Sequence, residues 1–174
     1  MNEGSFVATN LRNSIFEGVF LDKGLLKNAD LTNADLFEAE LNGATFLSAN
    51  MTGVILSEAR LVGANLIAAN LTGAALAGAN MKDANLNCAE LVGADLECAV
   101  LTNANLTGAD LAGANLEDAD LSNANLTGAD LAGAILTGAN IPNTVLNGAI
   151  GADLTNVLPQ INEGRQSTPP VIQD

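Results

Sequence analysis

The sequence predicts an all-β solenoid, and three observations support this fold class. An apolar residue occupies every fifth position from Phe6 to Leu146, which gives 29 consecutive sites, 23 of them Leu. A small residue stands two positions before each site, and it is Ala at 22 of the 29. The second residue after each apolar site is Gly or Asn in 19 of the 29 units. The repeating unit is therefore A-(N/D)-L-x-x, and its register holds without a break.

Neither regular secondary structure accounts for a five-residue apolar period. Five residues advance an α-helix by about 500°, a net rotation of about 140° that would spread the apolar side chains around the helix. In a straight strand, an odd step would send successive apolar side chains to opposite faces. We infer that the chain turns once per unit, and that the small and the apolar residue both point inward from one short extended piece.

The two residues after each apolar site form the predicted corner. Gly and Asn tolerate a positive φ best, and the third residue of a type II turn requires one. We therefore expect type II corners where Gly or Asn holds this position. A different turn type is expected at Glu38, Glu58, Ala68, Cys88 and Cys98. The core of such a solenoid is narrow, so only a small residue fits beside each Leu.

The repeat resembles the pentapeptide-repeat family. Residues 104–108 (ANLTG) and 109–113 (ADLAG) carry the motif, and the resemblance covers about residues 4–149. It implies a right-handed quadrilateral parallel β-helix with four units per coil, so that the 29 units make about seven coils of a single domain. At ~4.8 Å per coil the rod would be roughly 35 Å long. The resemblance also suggests a bacterial protein similar to cyanobacterial members.

The register ends after Leu146, because Gly151 occupies the next apolar site. We predict a repeat domain over 1–150, a C-terminal cap over 151–164 and a disordered tail over 165–174. A short helical turn is expected between Asp153 and Glu163. A cap is expected because the open end of a stacked coil exposes unpaired backbone groups.

The composition argues against an enzyme. The chain contains no His, Trp or Tyr, and His is the commonest general base and metal ligand. Cys88 and Cys98 hold the same corner position two units apart, which places them on opposite sides of a four-sided rod and too far apart for a disulfide. Neither has a neighbouring cation that would favour a thiolate. We expect no catalytic residue, no cofactor and no metal site.

The charge balance limits the partners. Twenty acidic residues against six basic ones give a formal charge of −14, which disfavours direct binding to nucleic acid or to an anionic membrane. No apolar run approaches the roughly 18 residues of a membrane-spanning helix, and the first residues lack the features of a signal peptide. Two Cys suit a reducing compartment, so we expect a cytoplasmic protein.

Acidic residues are concentrated in the second half of the chain. Residues 83–164 hold 11 acids and no Lys or Arg, whereas residues 1–82 hold eight acids and five basic residues. The difference indicates either two ancestral pieces joined end to end or a functional face. The candidate acidic interaction face consists of Glu90, Asp95, Glu97, Asp110, Glu117, Asp118 and Asp130. A second ladder, expected to be structural, consists of the stacked amides Asn65, Asn85, Asn105 and Asn125.

Two functions compete for this sequence. The first is a non-enzymatic scaffold that presents rigid ladders of side chains to an unknown protein partner. In a simpler interpretation of the charge, the acidic surface only keeps the rod soluble and prevents edge-to-edge aggregation. The alternative follows from the resemblance, since some family members imitate B-DNA and bind DNA gyrase or another type II topoisomerase. Residues 83–146 carry nine acids over about 15 Å of rod, and DNA of that length would carry about nine charges.

Apolar residues at outward positions cluster in the early coils. The candidate apolar interface or cap consists of Phe20, Leu25 and Phe37. Either an N-terminal segment folds over Phe20 and Leu25 as a cap, or these side chains form a dimer or partner surface. The sequence leaves open a homodimer through this surface or through an end of the rod.

Overall fold

The computed structural model describes residues 4–155 and 157. The chain forms a right-handed quadrilateral β-helix, which confirms the expected fold class. Each side of a coil is a three-residue extended segment, and its central residue makes a parallel β-bridge with the residue 20 positions further on. Twenty-six bridges follow one another at five-residue intervals, from Ser5↔Leu25 to Asp130↔Ile150. Each coil therefore contains four units, as the family resemblance implies.

The four sides of the rod are named here by their bridge positions, which recur every 20 residues. Face 1 runs from Ser5 to Val145, face 2 from Asn10 to Ile150, face 3 from Ile15 to Ile135 and face 4 from Phe20 to Asn140. The corner that follows each face carries the number of that face. Corner 1 therefore begins with Val7 and Ala8, and corner 3 begins with Glu17 and Gly18.

Backbone hydrogen bonds tie each unit to the coils below and above it. In the unit around Leu106, the N–H of Asn105 donates to the C=O of Ala84 at 3.0 Å, one coil below. The N–H of Leu106 donates to the C=O of Asn125 at 2.7 Å, one coil above. The corner residue Gly108 also donates upward, to Thr127. The extended segments and the corners are therefore both held by stacking.

All 29 corners, from Ala8 to Gly148, have a positive φ of 53–71° at their second residue. The expectation of a different turn type at five corners is wrong. Their φ values are 54° at Glu38, 59° at Glu58, 53° at Ala68, 54° at Cys88 and 55° at Cys98. The reason is stacking, because the N–H of Cys88 donates to the coil above at 3.0 Å just as the glycine corners do.

The core is continuous along the rod, and each coil contributes to it four large apolar side chains, mostly Leu, and four small ones, mostly Ala. From Leu26 to Leu131 the inward Leu, Phe, Met, Val and Ala side chains are at most 1% exposed. At the N-terminal end, Phe6, Leu11 and Phe16 are only half-buried, and the rings of Phe6 and Phe16 pack edge to face with centroids 6.0 Å apart. Burial of the fully enclosed core side chains, mostly Leu and Ala, supplies the main driving force for folding.

The chain leaves the repeat register after Ile150. Gly151 has a φ of 72°, and Ala152, Leu154 and Val157 then pack against the last part of the core. The described residues 153–155 and 157 contain no helix. The rest of the predicted helical turn, and the predicted tail over 165–174, lie outside the described residues. In the described part of the chain, no helix is long and apolar enough to cross a membrane.

Candidate functional site: acidic ladders on the rod

The Asn and Asp side chains of the repeat complete the corners. At most of these positions the side-chain Oδ1 accepts a hydrogen bond from the backbone N–H two residues later, as from Ala112 to Asp110 at 3.0 Å. The N–H groups of Thr107 and Ala132 donate in the same way to Oδ1 of Asn105 and of Asp130. This Asx-turn geometry satisfies a backbone donor that the stacking leaves free. Much of the acidic surface therefore rests on residues that also stabilise the corners.

Three acids stand directly above one another on face 2. Glu90 is the bridge partner of Asp110, and Asp110 is the bridge partner of Asp130. Asp110 and Asp130 each engage Oδ1 in a corner bond, and no hydrogen bond to Oδ2 comes from any described residue. We call Glu90, Asp110 and Asp130 the face 2 ladder. Adjacent carboxylates on a sheet repel one another, so this ladder is not explained by stability.

Mostly small residues follow the face 2 ladder. The next corner carries Val92, which is 37% exposed, then Ala112 and Ala132 in the coils above it, and beside them Gly93, Gly113 and Gly133. A Cβ built on any of these three glycines would meet no atom within 4 Å. Both ion pairs among the described residues lie in the first half of the chain, Arg12 with Asp30 at 3.2 Å and Arg60 with Glu40 at 3.1 Å. Within the part of the chain that the structure describes, the ladder therefore projects from a low surface that carries no compensating cation.

The other predicted acids lie elsewhere on the rod. Asp95 is on face 3, and Glu97, Glu117 and Asp118 lie at corner 3. The seven acids were expected to form one face, but six of them form two acidic rows and Asp95 lies on face 3 between these rows. We call the second row, Glu97, Glu117 and Asp118, the corner 3 row. The separation arises because positions seven or eight residues apart fall on different sides of a four-sided coil.

The corner 3 row surrounds the exposed thiol of Cys98. Loss of solvation raises the pKa of Cys98, and the negative charges of Glu97, Asp118, Glu117 and Glu58 raise it further. A thiol held in its protonated form is a poor nucleophile. Cys88 and Cys98 are both free and exposed, at diagonally opposite corners. No group of three His, Cys, Asp or Glu among the described residues is arranged to hold a metal ion.

Outside the face 2 ladder, several acids have an amide stacked on them. Asn115 donates to Asp95 at 3.0 Å, Asn103 to Asp83 at 2.9 Å and Asn140 to Asp120 at 3.2 Å, each across one coil. Within the predicted amide ladder on face 1, the one amide-to-amide bond runs from Asn105 to Asn85 at 3.2 Å. All four amide oxygens of that ladder accept corner N–H bonds, and the oxygen of Asn85 accepts the Asn105 amide as well. These hydrogen bonds between side chains and corner N–H groups were not predicted from the sequence. The pattern that would have indicated them is present, since Asn or Asp recurs along the chain two residues before a corner N–H.

Asp120 on face 4 accepts more hydrogen bonds than any other acid among the described residues. Its partial burial favours the neutral carboxyl, but hydrogen bonds from Ser122, Thr102 and Asn140 outweigh this effect and hold the pKa of Asp120 below its ordinary value. The Thr102 hydroxyl donates to Oδ2 at 3.0 Å. A carboxylate with these donors stays ionised at neutral pH and serves the fold.

The predicted apolar site is spread over different sides of the rod. Phe20 lies on face 4 and is 68% exposed, Leu25 lies on face 1, and Phe37 lies half-buried at corner 3. The structure therefore does not bring the three side chains together on one face. Ile15 on face 3, which the sequence reading missed, is the most exposed large apolar residue of the described chain at 77%.

Several known proteins are similar to this chain. The pentapeptide-repeat family model matches it in eight copies, within residues 5–157. The solved structure of HetL, a protein involved in heterocyst differentiation regulation from the cyanobacterium Nostoc sp. strain PCC 7120, is 32% identical over 82% of this chain and 76% of its own, with a TM-score of 0.46. A thylakoid-lumen protein from Arabidopsis thaliana is 33% identical over 64% of this chain and 72% of its own, with a TM-score of 0.46.

A third solved structure is closer in shape. QnrB1, a plasmid-mediated fluoroquinolone resistance protein, has a TM-score of 0.70 over 90% of this chain and 89% of its own, at 22% identity. Its likeness shows the shared fold. No curated protein sequence matches the chain significantly. Since the repeat model covers most of the chain and the register is unbroken, the chain belongs to the pentapeptide-repeat family.

Proposed function

We propose that the protein is a non-enzymatic cytoplasmic scaffold that binds a basic surface of a protein partner through the face 2 ladder. The observation that carries this proposal is the run of three carboxylates at bridged positions, Glu90, Asp110 and Asp130. At two other pairs of bridged positions the fold places an amide on an acid, Asn115 on Asp95 and Asn140 on Asp120. A ladder that costs stability is expected where its charges have another use.

The geometry of the ladder suits a rigid charged surface. Backbone bonds hold each coil, so the three carboxylates follow one another at the coil spacing of about 4.8 Å. Little side-chain ordering is needed for Asp110 and Asp130, since each already has one oxygen bonded to the backbone. Preorganised charges lower the entropic cost of binding and speed association with a partner of opposite charge.

Mimicry of DNA towards DNA gyrase is the second candidate function. The specific observation in its favour is that the rod carries two acidic rows, the face 2 ladder and the corner 3 row, along the same axis. Double-stranded DNA also presents two lines of negative charge along one axis, with about one charge per 1.7 Å. In this case both rows would be needed for binding, whereas the scaffold proposal needs only the face 2 ladder.

Two variants of equal charge separate these functions. The first changes the face 2 ladder (Glu90→Gln, Asp110→Asn, Asp130→Asn), and the second changes the corner 3 row (Glu97→Gln, Glu117→Gln, Asp118→Asn). Each removes three negative charges. Both variants and the unaltered protein would be tested in a gyrase supercoiling assay and in crosslinking capture from bacterial lysate with identification of the bound proteins.

The scaffold proposal expects a basic partner that is captured by the unaltered protein and by the corner 3 variant but lost with the face 2 variant. Supercoiling would then be unaffected by all three proteins. Inhibition of gyrase by the unaltered protein, with loss of inhibition in both variants, would support DNA mimicry instead. If both variants captured the same proteins as the unaltered chain, the acidic rows would have no role in binding and both functions would be excluded.

A further inference from the structure

The last described coil has an open β-edge on face 3. In the coil below, the N–H of Leu116 donates to the C=O of Ile135 at 2.8 Å, and the N–H of Asp118 donates to the C=O of Thr137 at 2.9 Å. The equivalent donors one coil later are the N–H groups of Leu136 and Gly138. Among the described residues neither has an acceptor, and the C=O of Ala134 has no donor. Unpaired groups of this kind form a template for an added strand.

A cavity lies beside this edge. Its volume is about 210 Å³, and its lining comprises Ala134, Ile135, Leu136, Thr137, Asp153 and Thr155. The chain leaves the register at Gly151, so residues 153–155 form no bridge to Ile135, although Asp153 and Thr155 line the cavity. The outward-facing side chain of Ile135 is 48% exposed. A strand placed here would pair with the backbone and cover this apolar side chain.

The charge around the edge is negative. The carboxylate of Asp118 reaches over Gly138, where it would collide with a Cβ, and Asp153 lines the cavity. Glu117 stands one coil below Thr137. No Lys or Arg occurs between residues 83 and 157. A peptide that pairs with the edge would therefore be favoured if it carried Lys or Arg at its ends.

We propose that the edge Ala134–Gly138 binds an extended basic peptide of a partner protein as an added parallel β-strand. One peptide residue would donate its N–H to Ala134 and accept from Leu136, with its side chain over Ile135, and the residue two positions later would accept from Gly138. This is β-strand addition, in which the backbone bonds give affinity and the side chains give selectivity. The site is separate from the face 2 ladder, so it does not depend on the proposed function.

The test uses the full chain and the acetylated, amidated probe peptide Lys-Ala-Val-Leu-Lys-Lys with a fluorescent label. The matched control peptide differs by one N-methyl group on Val, which removes the N–H that would donate to Ala134. Binding is followed by fluorescence anisotropy. Loss of the backbone bond and the added methyl group should weaken binding at least roughly tenfold. Equal binding of both peptides would show mere charge attraction and would overturn the proposal.

Protein variants and amide exchange locate the site. The substitution Asp118→Asn should weaken the probe about threefold, as expected for one exposed charge pair, whereas the face 2 variant should bind it with little change. Hydrogen exchange at Leu136 and Gly138 should be fast in the free protein and slow with the probe, with Leu116 protected throughout. Slow exchange at both amides before the probe is added would show that the chain's own segment already covers the edge, and would overturn the proposal.

Discussion

Asp110 lies directly above Glu90 as its β-bridge partner on face 2, with no amide between the two carboxylates. On face 3 the equivalent neighbours are Asp95 and Asn115, and the Asn115 amide donates to Asp95 at 3.0 Å. The two pairs occupy equivalent positions in the same two coils. The carboxylates of the first pair repel each other, whereas the second pair is joined by a hydrogen bond. The difference in interaction energy between the two pairs therefore measures how much the face 2 ladder lowers the free energy of unfolding.

The substitution Asp110→Asn should therefore stabilise the protein. It removes two like-charge contacts, with Glu90 and Asp130, and keeps an oxygen for the N–H of Ala112. We expect the free energy of unfolding to rise by about 0.5–1 kcal/mol in low salt, with a smaller gain at high salt because screening already weakens the repulsion. Urea unfolding at two salt concentrations measures the effect.

The matched control is Asn115→Asp, which creates a like-charge pair with Asp95 on face 3. It should destabilise the protein by a similar amount, again less at high salt. If both substitutions shifted stability in the same direction, the repulsion between stacked carboxylates would not explain the difference between the two faces.

The core was predictable from the sequence because its pattern repeats in every unit. A fixed register of Ala and Leu leaves one way to bury all the leucines, and the structure buries Leu106 completely. The corners at Glu38 and Ala68 were not predictable from residue preference, since backbone bonds to the neighbouring coils impose a positive φ on any residue there. Local preference is overridden when many stacked bonds require one geometry.

The candidate sites were less predictable for geometric reasons. The sequence identified the acids but not their separation, because the side on which each residue lies depends on its place in the 20-residue coil. The acids of the face 2 ladder, Glu90, Asp110 and Asp130, were found because they recur at that interval. The open edge beside Ile135 could not be foreseen, since it depends on where the chain goes after Gly151, and no repeat describes that path.

A charge in the core tests the five-residue assignment. Leu106→Asp would bury a carboxylate without a partner at a position that is 0% exposed, and we expect a loss of several kcal/mol, about 4 or more. Thr107→Asp, one position later on the surface, should cost less than about 1 kcal/mol, mainly from the lost hydroxyl bond to Asn105. Circular dichroism melts of the two variants compare them directly. Equal tolerance would contradict the inward direction of Leu106.

Backbone strain at the corners predicts two substitutions of opposite sign. Ala68 has a φ of 53°, so Ala68→Gly should stabilise the protein by about 1 kcal/mol through relief of the left-handed strain. Gly73, in the next unit, has a φ of 63° and open space where a Cβ would lie, so Gly73→Ala should destabilise it by a similar amount without a collision. Denaturant unfolding checks both, and shifts of the same sign would contradict the strain argument.

Asp120 should make stability depend on pH in the acid range. Hydrogen bonds from Ser122, Thr102 and Asn140 lower the pKa of Asp120 in the folded state. A lowered folded-state pKa gives stability that is fully present above the unfolded pKa of about 4 and is lost as pH falls through the folded value. Asp120→Asn cannot titrate, so its deficit relative to the unaltered protein should be largest at pH 7 and shrink towards pH 3. A deficit that is constant from pH 7 to pH 3 would contradict this role.

The end of the regular coil depends on Gly151. Its φ is 72°, and a Cβ there would lie 2.5 Å from Cα and 2.6 Å from N of Ala132, backbone atoms that cannot move aside. Gly151→Ala should therefore detach the chain around Ile150 from the coil below. At present the N–H of Leu131 holds it by donating to the C=O of Ile150 at 2.8 Å.

Gly148→Ala is the control, because its φ of 66° imposes similar strain while its Cβ would meet no atom within 4 Å. Amide exchange at Leu131 and Ile150 should rise roughly tenfold or more in the first variant, by local opening, and less in the second, with Leu106 unchanged in both. Equal acceleration in the two variants would show that the positive φ, and not the contact with Ala132, holds the chain at this exit.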